Sequence, residues 1–254
     1  MKKVMILMAL LLAVNGINAQ DNEKKFSIKP MAGMNVSTLS GGLDDEYLTR
    51  TGFTGGVEAE YRAAKWLGIS IGASYSQQGA KYDYHTQMYM RASSSGTSDS
   101  YEMVQRDAKV TGHRKCDYLS IPLLACFHIP SVKGLALKTG VQLNVLLSEK
   151  MHKDILSIKN LDVESGFLET DTQDFWLIEQ SKDITKKTDI GIPVGISYEW
   201  KNIVAEARYY FGLTKIDNRN FQEATKVKGT SEYMNPADER NRVFSFTIGY
   251  RFNL

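Results

Sequence analysis

Few side chains in this sequence are of the types that carry out covalent chemistry. The histidines are His85, His113, His128 and His152, and a serine or cysteine nucleophile needs a base within reach. Only His128, followed by Ser131, offers a spacing of that kind. It sits at a short turn facing inward, where a solvated or hydrogen-bonded structural histidine accounts for it. The other three lie in or beside long polar stretches, without the i, i+4 or paired-cysteine spacing of a metal site. Cys116 and Cys126 fall in one extended segment, where a rise of about 3.3 Å per residue separates them by roughly 33 Å, far beyond disulfide range. They are expected to be unpaired thiols. There is no glycine-rich phosphate cradle either, so no catalytic, cofactor-binding or metal-ligating residue is assigned and no cofactor is expected.

The sequence is instead organised by strands. In the last segment Phe244, Phe246, Ile248, Tyr250, Phe252 and Leu254 share one face, while Ser245, Thr247, Gly249, Arg251 and Asn253 share the other. That is period-two alternation. It recurs at Leu67, Ile69, Ile71, Ala73 and Tyr75, and at Phe53, Val57, Ala59 and Tyr61. Strands are predicted over 26–37, 51–63, 67–81, 117–129, 135–150, 189–200, 203–213 and 243–254. The connections alternate between short (64–66, 130–134, 201–202) and long (38–50, 82–116, 151–188, 214–242). Short periplasmic turns and long external loops are the usual arrangement of an outer-membrane barrel, and an even strand number puts both ends of the barrel domain at the periplasmic side.

The first residues read as an export signal: Lys2 and Lys3, an apolar run from Val4 to Val14, and a cleavage site at Ile17-Asn18-Ala19. The expected division is a signal over 1–19 and one barrel domain over 20–254. The apolar run falls short of the roughly 20 residues that span a bilayer as a helix. Removing Lys2 and Lys3 takes the formal net charge from +2 to 0, which provides no field for collecting nucleic acid. The mean hydropathy of −0.30 fits a chain that crosses a membrane, if it does, as a closed barrel.

Alternation alone leaves two readings open, a membrane barrel or a soluble lipocalin-like binding barrel. The face opposite the apolar one is rich in Gly and Ser with a few charges, namely Lys29, Glu58, Glu60, Arg62, Lys138, Glu199, Glu206, Arg208 and Arg251. Such a face suits a crowded interior whose charges pair, and eight strands leave room for side chains rather than a wide pore. On that reading, loss of Arg208 alone would strand a buried carboxylate. Aromatic residues gather at both ends of the apolar face: Phe26, Tyr61, Phe127, Trp200 and Phe252 at one, and Phe53, Tyr75, Tyr209, Phe211, Phe244 and Phe246 at the other. Girdles of this kind belong at membrane interfaces. Pro122 and Pro193 fall inside predicted strands of a sheet with no edge, so bulges or local breaks are expected there.

Gly33-Met34-Asn35-Val36-Ser37, Tyr75-Ser76-Gln77-Gln78-Gly79, Asp117-Tyr118-Leu119-Ser120-Ile121-Pro122-Leu123-Leu124, Gly140-Val141-Gln142, Ala207-Arg208-Tyr209, Gly212-Leu213-Thr214 and Ile248-Gly249-Tyr250-Arg251-Phe252 together resemble the PorT-like outer-membrane β-barrels of Bacteroidota. The resemblance covers nearly the whole chain after the signal, except 82–116 and 151–188. It implies an all-β, eight-stranded antiparallel transmembrane barrel with long extracellular loops, in the cell outer membrane, with membrane lipid around it. One member of that family is linked to secretion of surface proteins. The expected function is a noncatalytic barrel whose loops meet a partner from the secretion machinery or the cell surface. Two alternatives stay open: a barrel-borne envelope lipid-modifying enzyme and the soluble lipocalin-like barrel. Within 82–116, Ser93 to Ser100 reads as a mobile loop tip, and Tyr82, Tyr84, Tyr89 and Tyr101 read either as binding contacts or as strand extensions above the membrane.

Overall fold

The computed structural model describes residues 25–41, 47–93, 101–160, 174–175, 185–217 and 239–254; the expected signal over 1–19 lies outside them. Eight long strands form the wall: β1 (Phe26–Ser40), β2 (Arg50–Arg62), β3 (Leu67–Ser93), β4 (Tyr101–His128), β5 (Leu135–Asn160), β6 (Thr188–Trp200), β7 (Ile203–Gly212) and β8 (Arg240–Tyr250). Each pairs antiparallel with its sequence neighbour, and β8 returns to pair with β1, so the sheet closes. The final Phe252–Asn253 continues that last ladder, with Ile28 opposite Phe252.

Closure explains the inverted distribution of residue types. Outward side chains such as Met34, Phe53, Ile71, Leu123, Val141, Ile196, Phe246 and Ile248 stand exposed, whereas Lys29, Asn35, Glu58, Gln78, Lys138, Asn144, Asp189 and Glu206 are buried in the lumen. A soluble barrel would hide the first set and display the second. The aromatic girdles fall where the alternation puts them, joined at the periplasmic end by Trp66 and Tyr250, both about half exposed.

The periplasmic turns are tight. Lys201 and Asn202 take φ values of 48° and 69°, the double positive-φ signature of a two-residue hairpin turn. At the seam, Gly33 lets β1 and β8 approach, because a Cβ there would stand 1.9 Å from the Phe246 carbonyl oxygen.

Prolines are accommodated by local breaks in the ladder without a change of register. Ile71 pairs with Leu123 and Ser74 with Ser120, but the intervening pairs opposite Pro122 are missing. The β5–β6 ladder likewise resumes at Gln142 and Gly191 after stopping at Thr139 and Val194, skipping Pro193. Pro30, which the sequence reading passed over, sits where the β1–β8 ladder is interrupted at Arg251. A residue without an amide hydrogen cannot hold every rung, so each proline breaks the ladder on one side and stays paired on the other, Pro122 with Gln142, Pro193 with Tyr210 and Pro30 with Val57. The bulges lie elsewhere, at Asp107/Ala108 and Asp117/Tyr118.

Two predicted connections require correction. Segment 82–116 is not a loop: β3 and β4 stay paired rung by rung to Ser93 and Tyr101. In 151–188, β5 runs on to Asn160 and pairs with β4 as far as Arg106. Beyond the membrane both faces of a strand meet water or other protein, so the apolar alternation that marks the spanning part disappears while the backbone ladder continues.

Candidate functional site

The interior is filled by charge. Lys29, Lys138 and Arg208, from β1, β5 and β7, converge on Glu58 of β2 and Glu206 of β7. Lys29 Nζ lies 3.1 Å from Glu58 and 2.6 Å from Glu206. Lys138 Nζ lies 2.6 Å from Glu58 and 2.9 Å from Glu206. Arg208 Nη2 donates to Glu58 at 2.8 Å and also to Glu206. Each carboxylate therefore meets three cations, so loss of Arg208 would strand neither, contrary to the expectation from the sequence.

Nearer the periplasm, Arg251 bridges Glu60 (2.9 Å) and Glu199 (2.8 Å), and His128 Nε2 lies 2.7 Å from Glu60. His128 is thus engaged by a carboxylate of the lumen rather than by Ser131. Arg62 is exposed at the periplasmic end and not part of the interior. Without it the inward charges named from the sequence are four cations, Lys29, Lys138, Arg208 and Arg251, against four carboxylates, Glu58, Glu60, Glu199 and Glu206, so these two networks balance.

Toward the outside the packing continues. Asp189 accepts hydrogen bonds from Tyr210 (3.0 Å), Thr214 (2.7 Å) and Asn241 (2.9 Å). The cavity between these two networks measures about 30 Å³, room for about two waters. Among the described residues, side chains from non-adjacent strands meet across the lumen at both networks.

The outer mouth is closed by Arg114, which the sequence reading left inside a loop. Its guanidinium donates to Glu239 (2.6 Å), Glu149 (3.1 Å) and Thr185 (3.1 Å). The Thr185 amide in turn donates to Glu149 at 3.0 Å, and the Tyr47 hydroxyl donates to Glu239 at 2.6 Å. Burial, and then the Glu239 carboxylate, hold the Tyr47 phenol well above its ordinary value. Beside this hub Leu39, Ala80 and Ile216 form a small apolar cluster against Tyr47. Segments 185–187, 213–217 and 239–240 are stitched together by Lys186 N–H to Ile216 O (2.7 Å) and Ile216 N–H to Glu239 O (2.9 Å). The bases of three connections thus converge on one arginine.

The remaining sequence candidates are dispersed. His113 is exposed on the outward face of β4 and His85 on that of β3; the His152 backbone lies opposite His113. Cys116 and Cys126 are both buried without a disulfide, Cys126 donating to Ser70 Oγ at 3.4 Å. Tyr82 is strand, and buried. Above the mouth, the paired ends of β3, β4 and β5 project as a sheet whose β3–β4 hairpin continues for about 35 Å past Tyr82 at the usual rise.

A family model described as outer membrane protein beta-barrel domain matches residues 18–218. The chain belongs to this family. Its place is the outer membrane, and the soluble-barrel alternative is set aside. Among solved structures, Neisserial surface protein A (NspA) is 13% identical over 91% of this chain and 97% of its own, with a TM-score of 0.36. Ail, the attachment invasion locus protein of Yersinia pestis, is 11% identical over 90% and 99%, with a TM-score of 0.32. No curated protein matches the sequence. The family match, not these remote likenesses, carries the assignment.

Proposed function

We propose that this barrel is a noncatalytic outer-membrane protein whose external projection engages a protein partner. The observation that carries the reading is the continuation of β3, β4 and β5 as a paired sheet beyond a mouth that is itself closed. A plugged lumen offers no route for transport, while a strand-built projection gives a rigid platform for recognition. The PorT-like resemblance supports a partner among surface-protein secretion components. The histidine with a neighbouring serine is held by Glu60, which argues for a structural role.

The test is to replace residues 84–110 by a tight turn joining Asp83 to Thr111, which are opposite one another in the ladder. The trimmed barrel should still migrate differently before and after boiling, and should lose the crosslink to a secretion or surface component that the full-length protein forms in native outer membranes. His128→Ala should leave envelope lipid composition unchanged. A silent trimming together with altered envelope lipid in His128→Ala would overturn the proposal in favour of a lipid-modifying enzyme.

A further inference from the structure

Just above the apolar band, the outward face of the wall carries Lys81 on β3, Lys115 on β4 and Lys150 on β5. Lys115 and Lys150 are direct partners across the ladder. Lys81 is opposite His113, two residues from Lys115, and so sits on the diagonal to it. Like charges placed directly opposite destabilise a sheet. Two acids share this face, Asp117, 4.0 Å from Lys115, and Asp83, which Lys109 holds at 3.2 Å; among the described residues no ion pair is formed by Lys81 or Lys150. Three cations sharing one long ion pair, with Asp83 held by Lys109, are a site that an external anion would relieve.

Direction identifies the anion's source. These side chains point sideways from the barrel, on the same face as Ile71, Leu123 and Val141, which stand exposed in the band below. A group that reaches all three ammoniums while lying beside the wall is the headgroup of a lipid whose acyl chains run down the apolar face. Lysine stems suit this geometry, since their methylenes cover apolar surface while the ammonium meets the interface. Round the wall from Lys81, the outward positions Leu48, Thr51 and Thr38 carry no charge, and the next cation, Arg242 opposite Thr38, donates to the Gly212 carbonyl at 2.8 Å.

We propose that Lys81, Lys115 and Lys150 form a binding site for the phosphate groups of a phosphorylated glycolipid in the outer leaflet. This rests on the outer-membrane location and is independent of the protein-partner reading.

The experiment compares the refolded full-length barrel in phosphatidylcholine nanodiscs doped with bisphosphorylated lipid A or with the same lipid stripped of phosphate, lipid retention being read by native mass spectrometry. The wild type should retain the phosphorylated form and not the stripped one. Lys81→Gln/Lys115→Gln/Lys150→Gln should weaken retention about a hundredfold, and Lys150→Gln alone by about fivefold, from an attraction of about a factor of five per lysine. The periplasmic control Lys65→Gln/Lys133→Gln/Lys201→Gln should behave as wild type, and unboiled gel migration checks that each variant is folded. Equal retention of both lipids by the wild type, or undiminished retention by folded Lys150→Gln and the triple variant, would overturn the site. Full displacement by soluble inorganic polyphosphate at matched phosphate concentration would overturn the lipid assignment and leave a general anion patch.

Discussion

Glu58→Gln is the substitution that the interior should tolerate least. Glu58 meets Lys29 at 3.1 Å, Lys138 at 2.6 Å and Arg208 at 2.8 Å, and its side chain is 1% exposed. Taking charge centres about 4 Å apart and an effective dielectric of ~20, each attraction is about 4 kcal/mol in Coulomb terms. Against this, the neutral amide no longer bears a desolvation penalty of several kcal/mol, and it can still accept a hydrogen bond. Three cations then share one carboxylate, and the net loss should be on the order of 3 to 5 kcal/mol. Arg208→Met differs in kind, because two lysines remain against two carboxylates with each still paired. It should cost about 1 to 2 kcal/mol. Combining both substitutions should recover part of the Glu58→Gln loss, about 1 to 2 kcal/mol, since they share one network. Urea unfolding in lipid vesicles, followed by tryptophan fluorescence and unboiled gel migration, measures all three. If Arg208→Met were as costly as Glu58→Gln, or the double variant simply additive, the three-against-two reasoning would fail.

Other expectations are equally direct. Arg114→Met should leave Glu149 and Glu239 at the mouth without their shared cation and destabilise the barrel by about 3 kcal/mol, with faster external protease cleavage between 161 and 184 as the local readout. Gly33→Val should sharply lower the yield of heat-modifiable barrel, because its Cβ would meet the β8 backbone. The Tyr47 phenol, raised in the folded state, contributes stability that is fully present below its unfolded value of about 10 and is lost as pH rises above it. Protease accessibility of the mouth should therefore increase in alkali, and Tyr47→Phe should remove that pH step. Cys116 and Cys126, being buried, should resist maleimide labelling in the native barrel at pH 8 and react after unfolding.

The spanning wall was legible because lipid enforces alternation: Phe244 through Leu254 could be assigned to faces residue by residue, and the short turns at 64–66, 130–134 and 201–202 fell where the strands end. Parity also put Lys29, Glu58, Lys138 and Glu206 inside. What it could not give was partnership, since Lys29 and Glu206 are 177 positions apart and meet only through closure. Strand extension was one of two readings of Tyr82, Tyr84, Tyr89 and Tyr101, but the bounds at Ser93 and Asn160 were not legible, because Lys-Tyr-Asp-Tyr-His-Thr-Gln, from 81 to 87, shows no apolar face. Arg114 was hidden for the same reason, its partners Thr185 and Glu239 lying at the ends of separate connections. Arg62 followed inward parity yet sits past the end of the lumen, where parity no longer decides solvation.

The balanced charge networks bear on how such a chain can enter a membrane at all. Lys29 belongs to the first strand and its partner Glu206 to the seventh, while Arg251, beyond the eighth, is held by Glu60 of the second. An unclosed sheet keeps Lys29 beside Glu58 and Glu206 beside Arg208 but lacks the Lys29–Glu206 and Arg251–Glu60 pairs that cross the seam. Burying charges without those partners in hydrocarbon is costly, so a half-wound intermediate must keep its concave side wet at the bilayer surface. Only when the outermost strands meet are the seam-crossing pairs completed, which couples annealing of the seam to passage into lipid.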